Sequence, residues 1–138
     1  MAALTILQVE DDPDDAFFFR RALRKKKLDC ELHVEKNGEG AINYLRAAAP
    51  EAGPDSHRIP DLMLLDLKLP GLSGFDVLSW ARSQAALQTL PIIVLSGSSL
   101  VEDKKKASGL GASEFIVKHS DYDQIAEKVV ELISMVRR

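Results

Sequence analysis

Five short apolar runs, Leu4–Val9, Cys30–Val34, Leu62–Leu65, Ile92–Leu95 and Glu114–Val117, are set apart by longer segments of mixed polarity. Three of the runs are apolar at nearly every position, as expected of strands covered on both faces in a parallel sheet. The segments between them carry helical spacing near 13–27, 38–48, 74–86, 101–109 and 121–137. Five strands alternating with five helices predict one doubly wound α/β domain. Local punctuation agrees. Pro13 suits the first turn of a helix, Asn37-Gly38 marks a turn or helix start, and the glycines of 108–113 end a helix. The Pro/Gly/Ser-rich stretch 47–60 is a longer connection than most.

A chain of 138 residues is long enough to bury one proper core. Its net charge of −3 argues against nucleic-acid binding as the main task. No run of about eighteen apolar residues is present, so no membrane span is expected, and nothing at the N-terminus reads as a signal peptide. The one cysteine, Cys30, has no intrachain partner, which fits a reducing cytoplasm. No repeat or second domain is visible, and the chain is expected to be a single domain over 1–138 with no effector domain after Arg138.

On a helical wheel of 13–27, Phe19 groups with Ala16, Ala22 and Leu23 on a core face, and Phe18 lies beside it. Phe17 falls with Pro13, Arg20, Arg21 and Arg24 on the wet face. It is either a partner-docking residue or a lone exposed apolar side chain. The basic run Arg24–Lys27 reads as a solvated cap offsetting the helix dipole.

Ligand sites in parallel α/β sheets form outside the carboxyl ends of the strands. Glu10 and Asp11 end the first strand, Asp66 the third, Ser96 the fourth and Lys118 the fifth. Singly, each has an ordinary structural explanation: an Asp at a strand end is often a turn or cap residue, Ser96 before Gly97 makes a turn, and one lysine means nothing. Together they bring carboxylates, a hydroxyl and an ammonium to one edge. Glu10, Asp11 and Asp66 supply the oxygens a hard divalent cation such as Mg²⁺ takes. An ionised Asp66 is a nucleophile for phosphorus. Mg²⁺ and Lys118 would balance charge on the moving phosphoryl group, with Ser96 donating to one of its oxygens. Asp14 and Asp15 are assigned to the helix dipole, and Asp12 to the edge of the site.

The motifs ILQVEDDPDD, DLMLLDLKLPGLSGFDVL, PIIVLSGSS and GASEFIVK, in that order and spacing, resemble the receiver domain of bacterial two-component response regulators over essentially the whole chain. VEDDPDD and LKLPGLSGFDVL look most like the single-domain regulators of bacterial phytochrome kinases and related sensors. The resemblance implies a flavodoxin-like sheet of order 2-1-3-4-5. It implies Asp66 as phosphoacceptor, fed by a sensor histidine kinase or a histidine phosphotransfer protein. Asp11 and Asp66 would be direct Mg²⁺ ligands, with Glu10 completing the acidic pair and Lys68 adding its backbone carbonyl. Lys118 would contact phosphate, and Ser96 and Phe115 would form the switch pair. Phe115 has a plainer reading as a strand aromatic packed permanently inside. Such domains catalyse their own phosphorylation and usually their dephosphorylation, and relatives often form homodimers through helix four, strand five and helix five. DNA and membranes are not expected partners.

One departure stands out. The family usually places proline after the lysine, often with a cis bond, whereas His119 stands here. A cis bond before a non-proline residue costs about 2.5–4 kcal/mol, so a trans bond and a rearranged loop from Lys118 to Asp121 are expected. His33 reads as structural and His57 as exposed. Three rivals remain. A haloacid-dehalogenase-type phosphatase needs a second acid two residues after its nucleophile, where Lys68 stands. A flavin binder wants a hydroxyl- and glycine-rich phosphate loop where EDDPDD stands. The third is a receiver that binds partners without being phosphorylated.

Overall fold

The computed structural model describes residues 4–48, 57–97, 100–118 and 121–136. Strands β1 (Leu4–Val9), β2 (Cys30–Glu35), β3 (Leu62–Asp66), β4 (Ile92–Ser96) and β5 (Glu114–Val117) alternate with helices α1 (Pro13–Lys25), α2 (Gly38–Ala47), α3 (Gly74–Ser83), α4 (Val101–Gly109) and α5 (Tyr122–Val136). All pairings are parallel and the order is β2-β1-β3-β4-β5, as the resemblance implied. The third helical segment ends at Ser83, and a short 3₁₀ turn, Ala85–Leu87, takes up its tail.

The period of two along each strand divides the core. Leu7, Val9, Met63, Leu65, Ile92 and Val94 face α2 and α3, whereas Leu4, Ile6, Leu62, Leu64, Ile93 and Leu95 face α1 and α5. The central strands are therefore buried on both sides, and their carboxyl ends are the free polar rim. On α5, Ile125, Val129 and Ile133 recur at helical spacing and are buried, whereas Met135 is exposed; the side chain of Val136 lies outside the described residues. So do residues 49–56 of the long connection and the Lys118–His119 bond with its expected trans geometry.

Register sets the rim. Val9 pairs with Leu65 and Asp66 with Leu95, so continuing β1 by one residue brings Glu10 level with Asp66. The Glu10 amide donates to Glu35 O at 2.9 Å, Leu67 N to Leu95 O at 3.1 Å, and Lys118 N to Ser96 O at 2.6 Å. The loop after β3 is held close by Gly74, whose amide donates to Leu67 O at 2.9 Å. A Cβ on Gly74 would lie 2.3 Å from the carbonyl oxygen of Asp66 and 2.7 Å from Leu67 Cα. Only glycine lets the start of α3 press against the strand end that carries Asp66.

One sequence expectation gains a second role here, and one is reversed. Asp12 is the N-cap of α1, accepting from the Asp14 amide at 2.9 Å, where an orphan amide needs an acceptor; its own amide donates to Glu10 Oε2 at 3.2 Å, so it stands at the edge of the site as well. His33 is exposed and stacks on Tyr44 at 4.2 Å, whereas His57 is only partly exposed, edge-on to Tyr44 at 4.0 Å, with both ring nitrogens buried and unpartnered.

Candidate functional site

Glu10 follows β1 and is 2% exposed, and Asp66 ends β3 at 5%. Asp11, next along the chain, points to solvent. Carboxylate oxygens of the three lie within 4.8 Å of one another, the one such group among the described residues. Two of these acids are out of water, so their mutual repulsion is little screened. The structure answers with one cation. Lys118 Nζ lies 2.6 Å from Glu10 Oε1, 2.9 Å from Asp66 Oδ2 and 3.0 Å from Asp15 Oδ2.

One ammonium faces three carboxylates, and burial adds to the cost of keeping them charged. Burial first, opposed by Lys118 and aided by the charge of Asp66, pushes the Glu10 carboxyl up from 4.5 to about 7. That departure corresponds to roughly 3 kcal/mol against the charged form. Burial works against the charge on Lys118, but hydrogen bonds to Glu10, Asp66 and Asp15 outweigh it and raise its pKa above the ordinary lysine value. The cluster thus holds an ammonium firmly, with three carboxylates sharing it. Hard oxygens from two strand ends fit a hard divalent cation.

The remaining bonds orient the acids. Asp66 Oδ1 accepts from the Lys68 amide at 3.2 Å, and Glu10 Oε2 from the Asp12 amide at 3.2 Å. The Lys68 peptide therefore borders the cluster, while its side chain is exposed. Ser96 is 2% exposed at the end of β4, beside Asp66 in the sheet. Phe115 is half-buried on the other side of β5 from Ile116 and packs against the α2/α3 core. Phe17 is 59% exposed and meets Phe18 edge-on at 5.6 Å. A groove of about 340 Å³ runs from Glu10 and Asp11 past Pro13 and Ala16 to Phe17, Arg20, Val34 and Lys36.

Asp15 is the residue sequence reasoning misplaced. It does stand in the first turn of α1, but it also accepts from Lys118 Nζ and from the Tyr122 hydroxyl. Burial works against its charge, yet the bonds from Tyr122 and Lys118 prevail and lower its pKa. The signal was available: Asp15, Phe19 and Leu23 are four residues apart, and the last two are core residues, so Asp15 lies on the stripe that faces the sheet.

Comparison with known proteins agrees with this geometry. A sequence model described as the response regulator receiver domain matches residues 6–130. The probable methanogenesis regulatory protein FilR2 of Methanothrix harundinacea is 29% identical over 127 residues, covering 92% of this chain and 79% of that protein. The chain spans 43% of the transcriptional regulatory protein SphR of Synechococcus elongatus and 23% of the regulatory protein LuxO of Vibrio vulnificus, two other curated relatives it matches. The phosphorylated cyanobacterial phytochrome response regulator RcpA superposes with a TM-score of 0.80 at 31% identity, covering 95% of this chain and 91% of that one. The Mn²⁺-bound form of response regulator Rcp1 does so with a TM-score of 0.75 at 28% identity, covering 96% and 88%.

Proposed function

The chain belongs to the response regulator receiver family, and from that membership we propose that Asp66 is its phosphoacceptor, served by Mg²⁺ at Glu10, Asp11 and Asp66. Receiver domains of this kind bind divalent metal through acidic residues and interact with histidine kinases or phosphotransfer proteins. The observation that carries the proposal is the Lys118 ammonium 2.9 Å from Asp66 Oδ2, in a cluster where three carboxylates share that one cation. An Asp66 oxygen forms the new bond to phosphorus as the donor's P–N bond, or the P–O bond of an acyl phosphate, breaks. The leaving group keeps the electron pair, and a histidine leaving group takes up a proton. The Lys118 ammonium then follows the negative charge from carboxylate to phosphoryl oxygens. Glu10, Asp11 and Asp66, with the Lys68 carbonyl, would hold a divalent ion, which would supply positive charge to the phosphoryl group. The Ser96 hydroxyl donates to a phosphoryl oxygen, and Phe115 moves with it as the switch aromatic.

The direct test is incubation with Mg²⁺ and acetyl phosphate followed by mapping of the modified residue. A hydroxylamine-sensitive phosphoryl group on Asp66 is expected. Modification elsewhere, or none, overturns the assignment. Lys68, exposed where a phosphatase of the dehalogenase type has its second acid, leaves that rival without a general acid.

The donor we propose is a sensor histidine kinase of the bacterial phytochrome type, or its phosphotransfer protein, in the cytoplasm. The groove from the acids to Phe17 is where its phosphohistidine would approach. Phe17→Ala should slow transfer from a phosphorylated phytochrome kinase by about tenfold, the loss typical of a contact residue worth more than 1 kcal/mol, while acetyl phosphate labelling is unchanged. Equal loss with both donors would remove Phe17 from docking.

We propose that the phosphorylated receiver signals through protein contacts. A homodimer through α4, β5 and α5 is supported by its charges. Lys104, Lys105 and Lys106 are exposed on α4 beside exposed Leu100 and Val101, and Glu127 and Glu131 are exposed on α5. A two-fold contact can set one copy's lysines against the other's acids. Sedimentation of the acetyl phosphate-treated protein checks it: a salt-sensitive dimer is expected, and a monomer at every concentration rejects it.

A further inference from the structure

We propose that Asp15, braced by the Tyr122 hydroxyl, is the positioning residue for Lys118, holding its ammonium over Asp66 when a metal ion engages the other acids. The inference rests on the phosphoacceptor reading above and adds to it a residue from α1 and one from α5.

Lysine carries its charge on a flexible four-carbon stem, so its ammonium must be fixed by what it touches. Lys118 touches three carboxylates, from three elements. Glu10 and Asp66 belong to the acid cluster that suits a divalent ion; Asp15 does not. A cation drawing on the oxygens of Glu10 and Asp66 weakens two of the three holds on Lys118 and leaves the third intact. Asp15 Oδ2 accepts from Lys118 Nζ at 3.0 Å, and Asp15 Oδ1 accepts from the Tyr122 hydroxyl. Both carboxylate oxygens are thus committed, which removes the side-chain freedom that would let Lys118 drift.

Each end of this chain is itself anchored. Asp15 sits in the first turn of α1, four residues before fully buried Phe19. Tyr122 opens α5, packs partly against the α1/α5 core, and its ring lies 6.0 Å from that of Phe18. Lys118 follows β5 directly. Three elements that are separate in sequence therefore meet at one ammonium. The negative charge on Asp15 also keeps Lys118 from being drawn wholly to the phosphoryl group, so it sets distance as well as direction.

The test is a double-mutant cycle at saturating Mg²⁺ with acetyl phosphate as donor. Asp15→Asn should lower the maximal labelling rate by about tenfold, since small misplacements of a catalytic group cost that much or more. Asp15→Glu should restore part of it, and Tyr122→Phe should give a smaller loss. The Mg²⁺ dissociation constant, read by calorimetric titration, should change less than about twofold, as expected of a residue that is not a ligand. In a Lys118→Ala background, Asp15→Asn should cost nothing further. Failure of Asp15→Asn to slow labelling overturns the proposal, and so does an equal loss with and without Lys118. If Lys118→Ala does not fold, the Asp15→Glu rescue and the Tyr122→Phe loss decide, and absence of both overturns it. Failure of Asp66 to accept phosphate in the wild-type protein would instead strike the functional reading itself.

Discussion

Asp66→Asn should reduce phosphoryl uptake from acetyl phosphate to background while the chain still folds. The amide is nearly the same shape but its oxygen is a poor nucleophile, so the bond to phosphorus has no donor. The fold tolerates the change because Asp66 is held by two bonds, from the Lys68 amide at 3.2 Å and from Lys118 Nζ at 2.9 Å. Asparagine Oδ1 keeps one of them, and the loss of the other, a charge-assisted bond, costs about 1.5–3 kcal/mol, while Lys118 keeps Glu10 and Asp15. Part of that is recovered elsewhere. The charge of Asp66 helps to raise the Glu10 carboxyl, so removing it lets Glu10 ionise more readily beside Lys118. Mass analysis of the treated protein and a thermal melt check both halves. A folded variant that is labelled as well as wild type would show that another side chain is the acceptor.

The strand pattern carried the fold because burial on both faces leaves a strong signature. LMLL and IIVL are apolar throughout, and both became central strands with every residue buried. The rim was legible for the same reason, since a polar residue that ends such a run stands at a strand mouth. Glu10, Asp66, Ser96 and Lys118 all do so. Side chains arriving from helices were harder to read. Asp15 offers two explanations to a sequence, a dipole contact and a site contact, and the structure shows both in one residue. Gly74 gave no chemical hint, because its importance lies in a backbone approach to Asp66 that exists only once α3 has packed. The two histidines were misread because Tyr44, which both rings contact, lies on α2, away from either in the chain.

Mg²⁺ binding should weaken about tenfold between pH 8 and pH 6, because a single proton on a group titrating near 7 competes with the metal. That group is Glu10, raised to about 7 chiefly by its own burial. Without metal, the sign for stability is the reverse. A carboxyl whose folded pKa is raised contributes stability that is fully present below its ordinary value of 4.5 and is lost as pH rises through about 7. The metal-free protein should therefore melt lower at pH 8 than at pH 5.5, and Mg²⁺ should raise the melting temperature more at pH 8. Asp15, with its pKa lowered, acts in the opposite sense but only below its ordinary value of 3.8, outside this window. Asp11→Ala adds the second arm. Asp11 is exposed, so removing it costs the fold little, yet it takes away one of the three carboxylates within reach of a single ion. Calorimetric titration at pH 8 should show affinity lowered more than about tenfold, since Mg²⁺ relies on only one or two protein carboxylates. Asp12→Ala, which removes the cap of α1, should lower the melting temperature and leave Mg²⁺ affinity within about twofold, since a cap contributes about 1 kcal/mol to folding and nothing to the ion. Metal affinity that is flat from pH 6 to pH 8, or equal losses from Asp11→Ala and Asp12→Ala, would mean that the ion is held by other atoms than these.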